Sequence, residues 1–287
     1  MKLSIIIVNY NGEHFLKTCL DSVFDSVYNE PFEVIVVDNA SRDRSLAVLE
    51  SYGNKIQLIA NRENFGFSKA NNQGLVIAKG NYIFFLNNDT KLNKETLQKC
   101  IQYYDGHSHI GALGPKLLNA DGSIQGQGSL LGHWRFHSKK PKAVSFISGA
   151  AFFTTRAIMM ELGGMDEQFF FYNEDIDLCM RIRKKGSPLM YYPEAQLIHF
   201  GGLSTASRKP ESIIEGYRGG LYLGYKHYPF FLYHVYRVVL FVDLIPRILW
   251  HGLLSFFQKK HTSFLRAYLK IGTIAIRNEI FYSQRHK

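Results

Sequence analysis

The chain has 287 residues, 46% of them hydrophobic and 14% aromatic, enough for one large α/β domain or one domain with an appendage. Its net charge of +10 is uneven: residues 203–287 hold 13 Lys/Arg against 4 Asp/Glu, while residues 1–202 are nearly balanced. That distribution argues against nucleic-acid binding by the first part and directs the tail toward an anionic surface.

Strand and helix signals alternate from the start. Residues 3–8 form an apolar, β-branched run that reads as a buried parallel strand, and Leu16, Leu20, Val23 and Phe24 then recur at helical spacing. Residues 32–37 form a second strand running into Asp38-Asn39-Ala40-Ser41, followed by a short helix around Leu46 and Leu49. A third strand is read over 56–59, and Ser68 is placed to cap a helix through Ala78. The fourth, 82–86, stops abruptly at Asn87-Asn88-Asp89, and Asn93 is placed to cap a helix through Tyr104. Alternation of this kind predicts a parallel sheet with helices on both faces.

Beyond residues 110–113 the pattern loosens. Residues 122–142 are polar, Gly-rich and basic, and read as a loop or lid. Residues 144–154 are strand-like but broken by Ser148-Gly149-Ala150-Ala151; a helix over 174–185 ends at Gly186-Ser187-Pro188; strands are read over 189–192 and 196–200. In the tail, residues 238–258 carry only Asp243 and Arg247 as formal charges. That run approaches a spanning length, but Pro246 and the two charges favour an interfacial helix with Trp250, Phe256 and Phe257 against lipid. A packed helical subdomain or a dimer interface remains the alternative.

Cys19, Cys100 and Cys179 are odd in number and far apart, so buried thiols in a reducing cytosol are expected rather than a disulfide frame or a zinc site. The run after Met1-Lys2 is too short for a secretory signal and lacks a small-residue cleavage site. A cytoplasmic protein is therefore expected, peripheral at the inner face of the membrane.

Four strand ends share one chemistry: Asn9-Tyr10-Asn11, Asp38-Asn39, Asn61 to Asn64, and Asn87-Asn88-Asp89. Each alone is an ordinary Asn/Asp turn. If the strands are parallel, the four clusters line one rim, where open α/β sheets bind ligands. No G-x-G-x-x-G, P-loop or G-x-S-x-G pattern is present, so a diphosphate would need a metal, and Asp89 is the hard oxygen ligand at hand. A second acidic cluster, Glu174-Asp175-Ile176-Asp177, follows Asn173. Helix capping by Asn173 and an Asp177–Arg181 pair would explain it, or one of Glu174 and Asp175 faces the cleft as a general base. Adjacent helical residues point about 100° apart, so only one of the two is expected to do so.

Further matches complete an ordered set. Ser4 to Asn11, Val37 to Ser41, Asn64 to Asn72 and Leu86 to Thr90 come first. Ser148-Gly149-Ala150, Gly164-Met165-Asp166-Glu167, Glu174 to Arg181 and His199 to Ser204 follow. Over roughly residues 1–225 the chain resembles a family 2 glycosyltransferase, nearest in flavour to bacterial rhamnosyltransferases. The resemblance implies the GT-A fold, a mixed, mainly parallel sheet flanked by helices. Residues 226–287 lie beyond it as a basic, aromatic-rich helical extension.

It also implies roles. Asn9, Tyr10 and Asn11 would line a nucleoside pocket, Asp38 would bind base or ribose, and Asn64, Gly66 and Asn71 would border ribose and diphosphate. Asn87, Asn88 and Asp89 correspond to the D-x-D segment, with Asp89 and His199 holding a divalent cation, Mn²⁺ or Mg²⁺. Asp175 would be the catalytic base with Glu174 beside it, and Ser148, Gly149, Ala150 and Asp166 would shape the sugar and acceptor side. Asn87 departs from the pattern by replacing the first acid.

The implied reaction is inverting transfer from a nucleoside-diphosphate sugar, dTDP-rhamnose favoured, to a hydroxyl of a glycan or lipid-linked saccharide in bacterial cell-surface polysaccharide synthesis. A homo-oligomer is left open. A nucleotidyltransferase is disfavoured because residues 9–13 lack a Gly-rich basic loop. A non-catalytic sugar-nucleotide binder or assembly scaffold is the rival from another class, and Asn87 is its one supporting feature.

Overall fold

β1 (Leu3–Asn9) is buried along its whole length and forms the axis of the molecule's first part. A computed structural model describes residues 2–127, 133–201 and 210–281. In β1 the side chains alternate between two layers. Ile5 and Ile7 pack with Leu16, Leu20 and Val23 of α1 (Glu13–Phe24), while Ile6 packs with Leu75 of α3 (Phe67–Ile77). Each fully buried aliphatic side chain of this kind stabilises the fold by about 1.5–3 kcal/mol. Coverage on both faces explains why the strands read as continuous apolar runs rather than alternating ones.

β1 pairs in parallel with β2 (Phe32–Asp38) and β4 (Tyr82–Asn87), and β2 pairs in parallel with β3 (Gln57–Ala60). Beyond β4 the sheet becomes mixed. β8 (Ala151–Thr155) is antiparallel to both β4 and β6 (Ala112–Leu118), and β9 (Leu189–His199) is parallel to β6. The short strands β5 (Thr90–Leu92) and β7 (Lys142–Val144) pair antiparallel with β9, which gives the path β3-β2-β1-β4-β8-β6-β9-β5. Six of these nine strands run one way, which makes the sheet mainly parallel, as expected.

α2 (Ser45–Glu50), α4 (Thr96–Asp105), α5 (Arg156–Leu162) and α6 (Glu174–Lys184) complete the flanking layers. Cys19, Cys100 and Cys179 are free and buried in them, as expected; burial pushes the Cys19 thiol up to about 12.

Several local expectations need correction. Ser68 does not cap α3: Gly66 stands at the N-cap with φ 84°, and the buried Ser68 hydroxyl has no protein partner. Asn93 serves α4 through its backbone carbonyl, which accepts from Thr96 N, and not through its side chain. The two late strands are one, β9, with a register shift opposite Pro115/Lys116. The segment read as a loop over 122–142 contains a bridge between Leu118 and Ile124, a 3₁₀ turn at His133–His137, and the start of β7; residues 128–132 lie outside the described residues.

The chain divides into two compact units, Met1–Glu167 with Glu174–Gly201, and Gln168–Asn173 with Gly202–Lys287. The second contains α7 (Pro210–His227), α8 (Phe230–Ser255) and α9 (Lys259–Arg277). Its core includes Leu221, Leu240, Leu244, Tyr268 and Ile271. Asp243 and Arg247 bond each other on α8, and Asp243 also accepts from the Tyr217 hydroxyl of α7. Phe231, Val238, Val242, Ile245, Leu249 and Leu253, at helical spacing on α8, are all exposed. By length and composition α8 could cross a membrane.

Candidate active site

Register brings the polar strand ends together. Asn9 is the partner of Asp38, Val8 of Asn87, and Asp38 of Ala60, so the clusters after β1, β2, β3 and β4 share one rim. Asn9 and Asp38 are buried, and Asn9 Nδ2 donates to Asp38 Oδ1 at 2.8 Å. The other Asp38 oxygen accepts from Ser41 N, and Asn9 Oδ1 accepts from Asn88 Nδ2 at 2.6 Å. Asn9 therefore braces the rim from below, while Tyr10 and Asn11 stand exposed above it. Gly12 lets the chain pass: a Cβ there would lie 2.0 Å from Asn88 Nδ2 and 2.4 Å from Asn9 Oδ1.

Asn39, buried beside Asp38, is a hub. Its amide donates to Asn64 Oδ1 and Gly66 O and accepts from Asn61 Nδ2 and Phe65 N. This holds Asn64 and Gly66 beside the second strand end. Asn71 is buried and donates to Phe67 O within its own helix. The neighbouring Asn72 instead braces the chain at Met165, donating to its carbonyl and accepting from its N–H, and so fixes the segment that carries Asp166.

Asp89 and His199 meet because β5 and β9 pair. Thr90 is the register partner of His199, and Phe200 N donates to the Asp89 carbonyl at 2.9 Å. His199 Nε2 lies 3.3 Å from Asp89 Oδ1, with both side chains partly accessible. Asn87 Oδ1 is buried without a partner. No group of three or more His, Cys, Asp or Glu converges among the described residues. Such a pair would leave a cation to take the rest of its shell from phosphate oxygens and water; the carboxylate suits Mg²⁺ or Mn²⁺, the imidazole less so.

The acidic helix start is joined to the same rim by three residues. Asn87 N donates to Ala150 O, and Gly149 N donates to Asp175 Oδ2 at 3.0 Å, so Ser148-Gly149-Ala150 spans from the β4 end to α6. Asp175 Oδ1 also accepts from Ile176 N. Burial raises the Asp175 carboxyl. Glu174 is buried with Oε2 unpartnered, and burial together with the adjacent Asp175 pushes it up to about 8. Burial raises both carboxyls; the Gly149 and Ile176 N–H groups work against it at Asp175, whereas Glu174, with an oxygen unpartnered, is held toward its protonated form.

The bland readings are partly realised. Asp177 pairs with Arg181 at 2.7 Å and is buried, so it is structural. Asn173 is not positioned as an ordinary cap: its φ is 69°, following Tyr172 at 72°, and its amide donates to Gly216 O. N-cap residues normally take extended backbone.

The protein-family model for Glycosyl transferase family 2 matches residues 4–162. Among curated relatives, the O-antigen biosynthesis protein RfbC of Myxococcus xanthus is 26% identical over 234 residues, 75% of this chain and 18% of that protein. The N-acetylglucosaminyl-diphospho-decaprenol L-rhamnosyltransferase of Mycobacterium tuberculosis is 24% identical over 257 residues, covering 77% of this chain and 83% of the relative. The chain thus spans about a fifth of the length of the first curated relatives it matches. Of solved structures, the mannosyltransferase PcManGT from Pyrobaculum calidifontis, in complex with GDP-Man and Mn²⁺, superposes with a TM-score of 0.64. It is 15% identical, covering 97% of this chain and 88% of that one. Likeness at that identity is a likeness of fold, and the fold is GT-A.

Proposed function

The chain belongs to glycosyl transferase family 2, and we propose that it transfers a sugar, with inversion, from a nucleoside-diphosphate donor to a hydroxyl of a glycan or lipid-linked saccharide. One observation carries this reading: Ser148-Gly149-Ala150 ties the strand end bearing Asn87, beside Asp89 and His199, to the carboxylate of Asp175. On this reading, one three-residue segment links the diphosphate corner to the base.

In the proposed reaction the acceptor hydroxyl attacks the anomeric carbon and gives its proton to Asp175. The bond from that carbon to the diphosphate oxygen breaks, and the nucleoside diphosphate leaves on the opposite face. A divalent cation held by Asp89 and His199, Mn²⁺ or Mg²⁺, would act as a Lewis acid toward the charge on the departing diphosphate. Tyr10 and Asn11 border the nucleoside; Asp38, braced by Asn9, serves base or ribose; Asn64, Gly66 and Asn71 lie toward ribose and diphosphate. Asn87 and Asn88 complete the diphosphate corner, and Ser148 and Asp166 stand on the acceptor side. Protonated Glu174 keeps a second negative charge away from Asp175.

The Mycobacterium relative, named as a rhamnosyltransferase acting on a diphospho-decaprenol substrate, favours dTDP-rhamnose as donor and a lipid-linked acceptor. The exposed apolar face of α8 supports docking at the inner membrane surface, with Asp243 and Arg247 bonded to each other. Lys259, Arg266 and Lys270 line a cleft of about 520 Å³ in the same helical unit and add cationic surface for anionic headgroups. A donor panel, scored by release of nucleoside diphosphate and by sugar transfer with and without Mn²⁺, tests the activity. Transfer from dTDP-rhamnose to a polyprenyl-diphosphate saccharide supports the full reading, and transfer from a different donor corrects the sugar alone.

A further inference from the structure

Gln125 lies in the segment that sequence patterning reads as a lid, yet it faces the proposed metal corner. Its Oε1 is 2.7 Å from His199 Nδ1, and its Nε2 donates to the His199 carbonyl at 3.2 Å and to Asn119 Oδ1 at 3.1 Å. The amide orientation is fixed by chemistry: a backbone carbonyl only accepts, so the nitrogen must face it and the oxygen must face the imidazole. Nδ1 therefore carries a proton, and in the neutral ring Nε2 presents its lone pair toward Asp89.

The same directionality continues outward. Asn119 Nδ2 donates to Ser123 Oγ at 2.9 Å, and the Ser123 hydroxyl donates to Asp121 Oδ1 at 2.6 Å. A carboxylate that accepts only thus ends a chain of donors running from the imidazole through Gln125, Asn119 and Ser123. A tight turn holds the chain in place, with Gly122 N donating to Asn119 O and Gln125 N to Leu117 O. Gly201 leaves the room it needs, since a Cβ there would lie 3.1 Å from Gln125 Nε2 and 3.3 Å from His199 Nδ1.

Asp89 opposes this arrangement. Its carboxylate also accepts a proton, and 3.3 Å from Nε2 it would draw the imidazole into the other tautomer, whose lone pair points away from the corner. The 2.7 Å contact lies within the normal N–H···O range and the 3.3 Å contact just beyond it, so the geometry favours Gln125 as the partner of the ring N–H. We infer that Gln125 is a positioning residue that locks His199 as the Nδ1–H tautomer, so that Nε2 can ligate a divalent cation beside Asp89. The inference rests on the reading of His199 as a metal ligand. Metal-ligating histidines commonly owe their tautomer to such a partner, and losing it costs about 10–100-fold in affinity.

Two measurements test this on the full chain. Nitrogen-15 NMR of metal-free protein reports the His199 tautomer, and titration with Mn²⁺ alone, followed by electron paramagnetic resonance of the free ion, reports affinity. Wild type should show Nδ1–H. Gln125→Met should shift His199 toward Nε2–H and weaken Mn²⁺ binding about 10–100-fold, whereas Gln125→Glu, which keeps an acceptor oxygen on Nδ1 but sets a second oxygen against the His199 carbonyl and Asn119 Oδ1, should restore the tautomer with only part of the affinity. An Nε2–H His199 in wild type, or Gln125→Met binding Mn²⁺ within twofold of wild type, overturns the inference. Unchanged Mn²⁺ affinity in His199→Ala instead overturns the metal-ligand reading beneath it, whichever tautomer is seen.

Discussion

Glu174 is buried and its neighbour Asp175 half-buried, and the fold treats the two acids differently. Asp175 accepts from Gly149 N and Ile176 N, whereas Glu174 Oε2 has no partner. Asp175→Asn should lower sugar transfer by about 10²–10⁴-fold, the range for losing a general base, with donor binding held within a few-fold. Glu174→Gln, which mimics the protonated neighbour, should keep most of the activity. Comparable loss in both variants would contradict the division of labour between them. A pH effect on stability follows as well. The folded chain holds the Glu174 proton up to about pH 8, while the unfolded chain releases it near 4.5. Between those values the folded state binds more protons, so stability falls as pH rises through the window. Urea midpoints at pH 6 and pH 8.5 should differ less for Glu174→Gln than for wild type, and parallel shifts would refute the assignment. Gly12→Ala is expected to cost about 1–3 kcal/mol, because its Cβ would collide with the Asn88 and Asn9 side chains. The polar rim was legible from the strand-end clusters, since register does set Asn9, Asp38 and Asn87 side by side. Asn39 as a hub, Asn72 and Gln125 were not, since each acts by bonding residues distant in sequence. For Gln125 a signal existed: Asp121-Gly122 between Leu118 and Ile124 is a turn dipeptide between apolar residues.

At the scale of elements, the first four strands and their helices were readable because each buried run is bounded by polar turn residues. Their parallel order then placed four clusters on one rim. Neither the reversal of β8 between β4 and β6 nor the pairing of β5 with β9 was readable, since periodicity says nothing of strand order. Yet that last pairing brings Asp89 to His199. In α8 the charges Asp243 and Arg247 bond to each other, which leaves a long apolar face exposed. Val242→Glu with Ile245→Glu should abolish cosedimentation with phosphatidylglycerol vesicles while leaving donor hydrolysis unchanged. Retained vesicle binding would remove this face from membrane docking, and equal loss of hydrolysis would make it part of the catalytic fold.

Across the whole molecule, charge and chemistry are segregated. The nearly neutral first part holds the acids and amides of the rim, and the basic surplus lies in the helices that follow. The proposed site, in which Asp89, His199 and Asp175 act together in metal-assisted sugar transfer, is tested by nucleoside diphosphate release across a donor panel with and without Mn²⁺. We expect one donor to be turned over by wild type, release to depend on Mn²⁺, and Asp89→Ala and His199→Ala each to abolish the metal-dependent part. Release that is indifferent to Mn²⁺ and to both substitutions would contradict it.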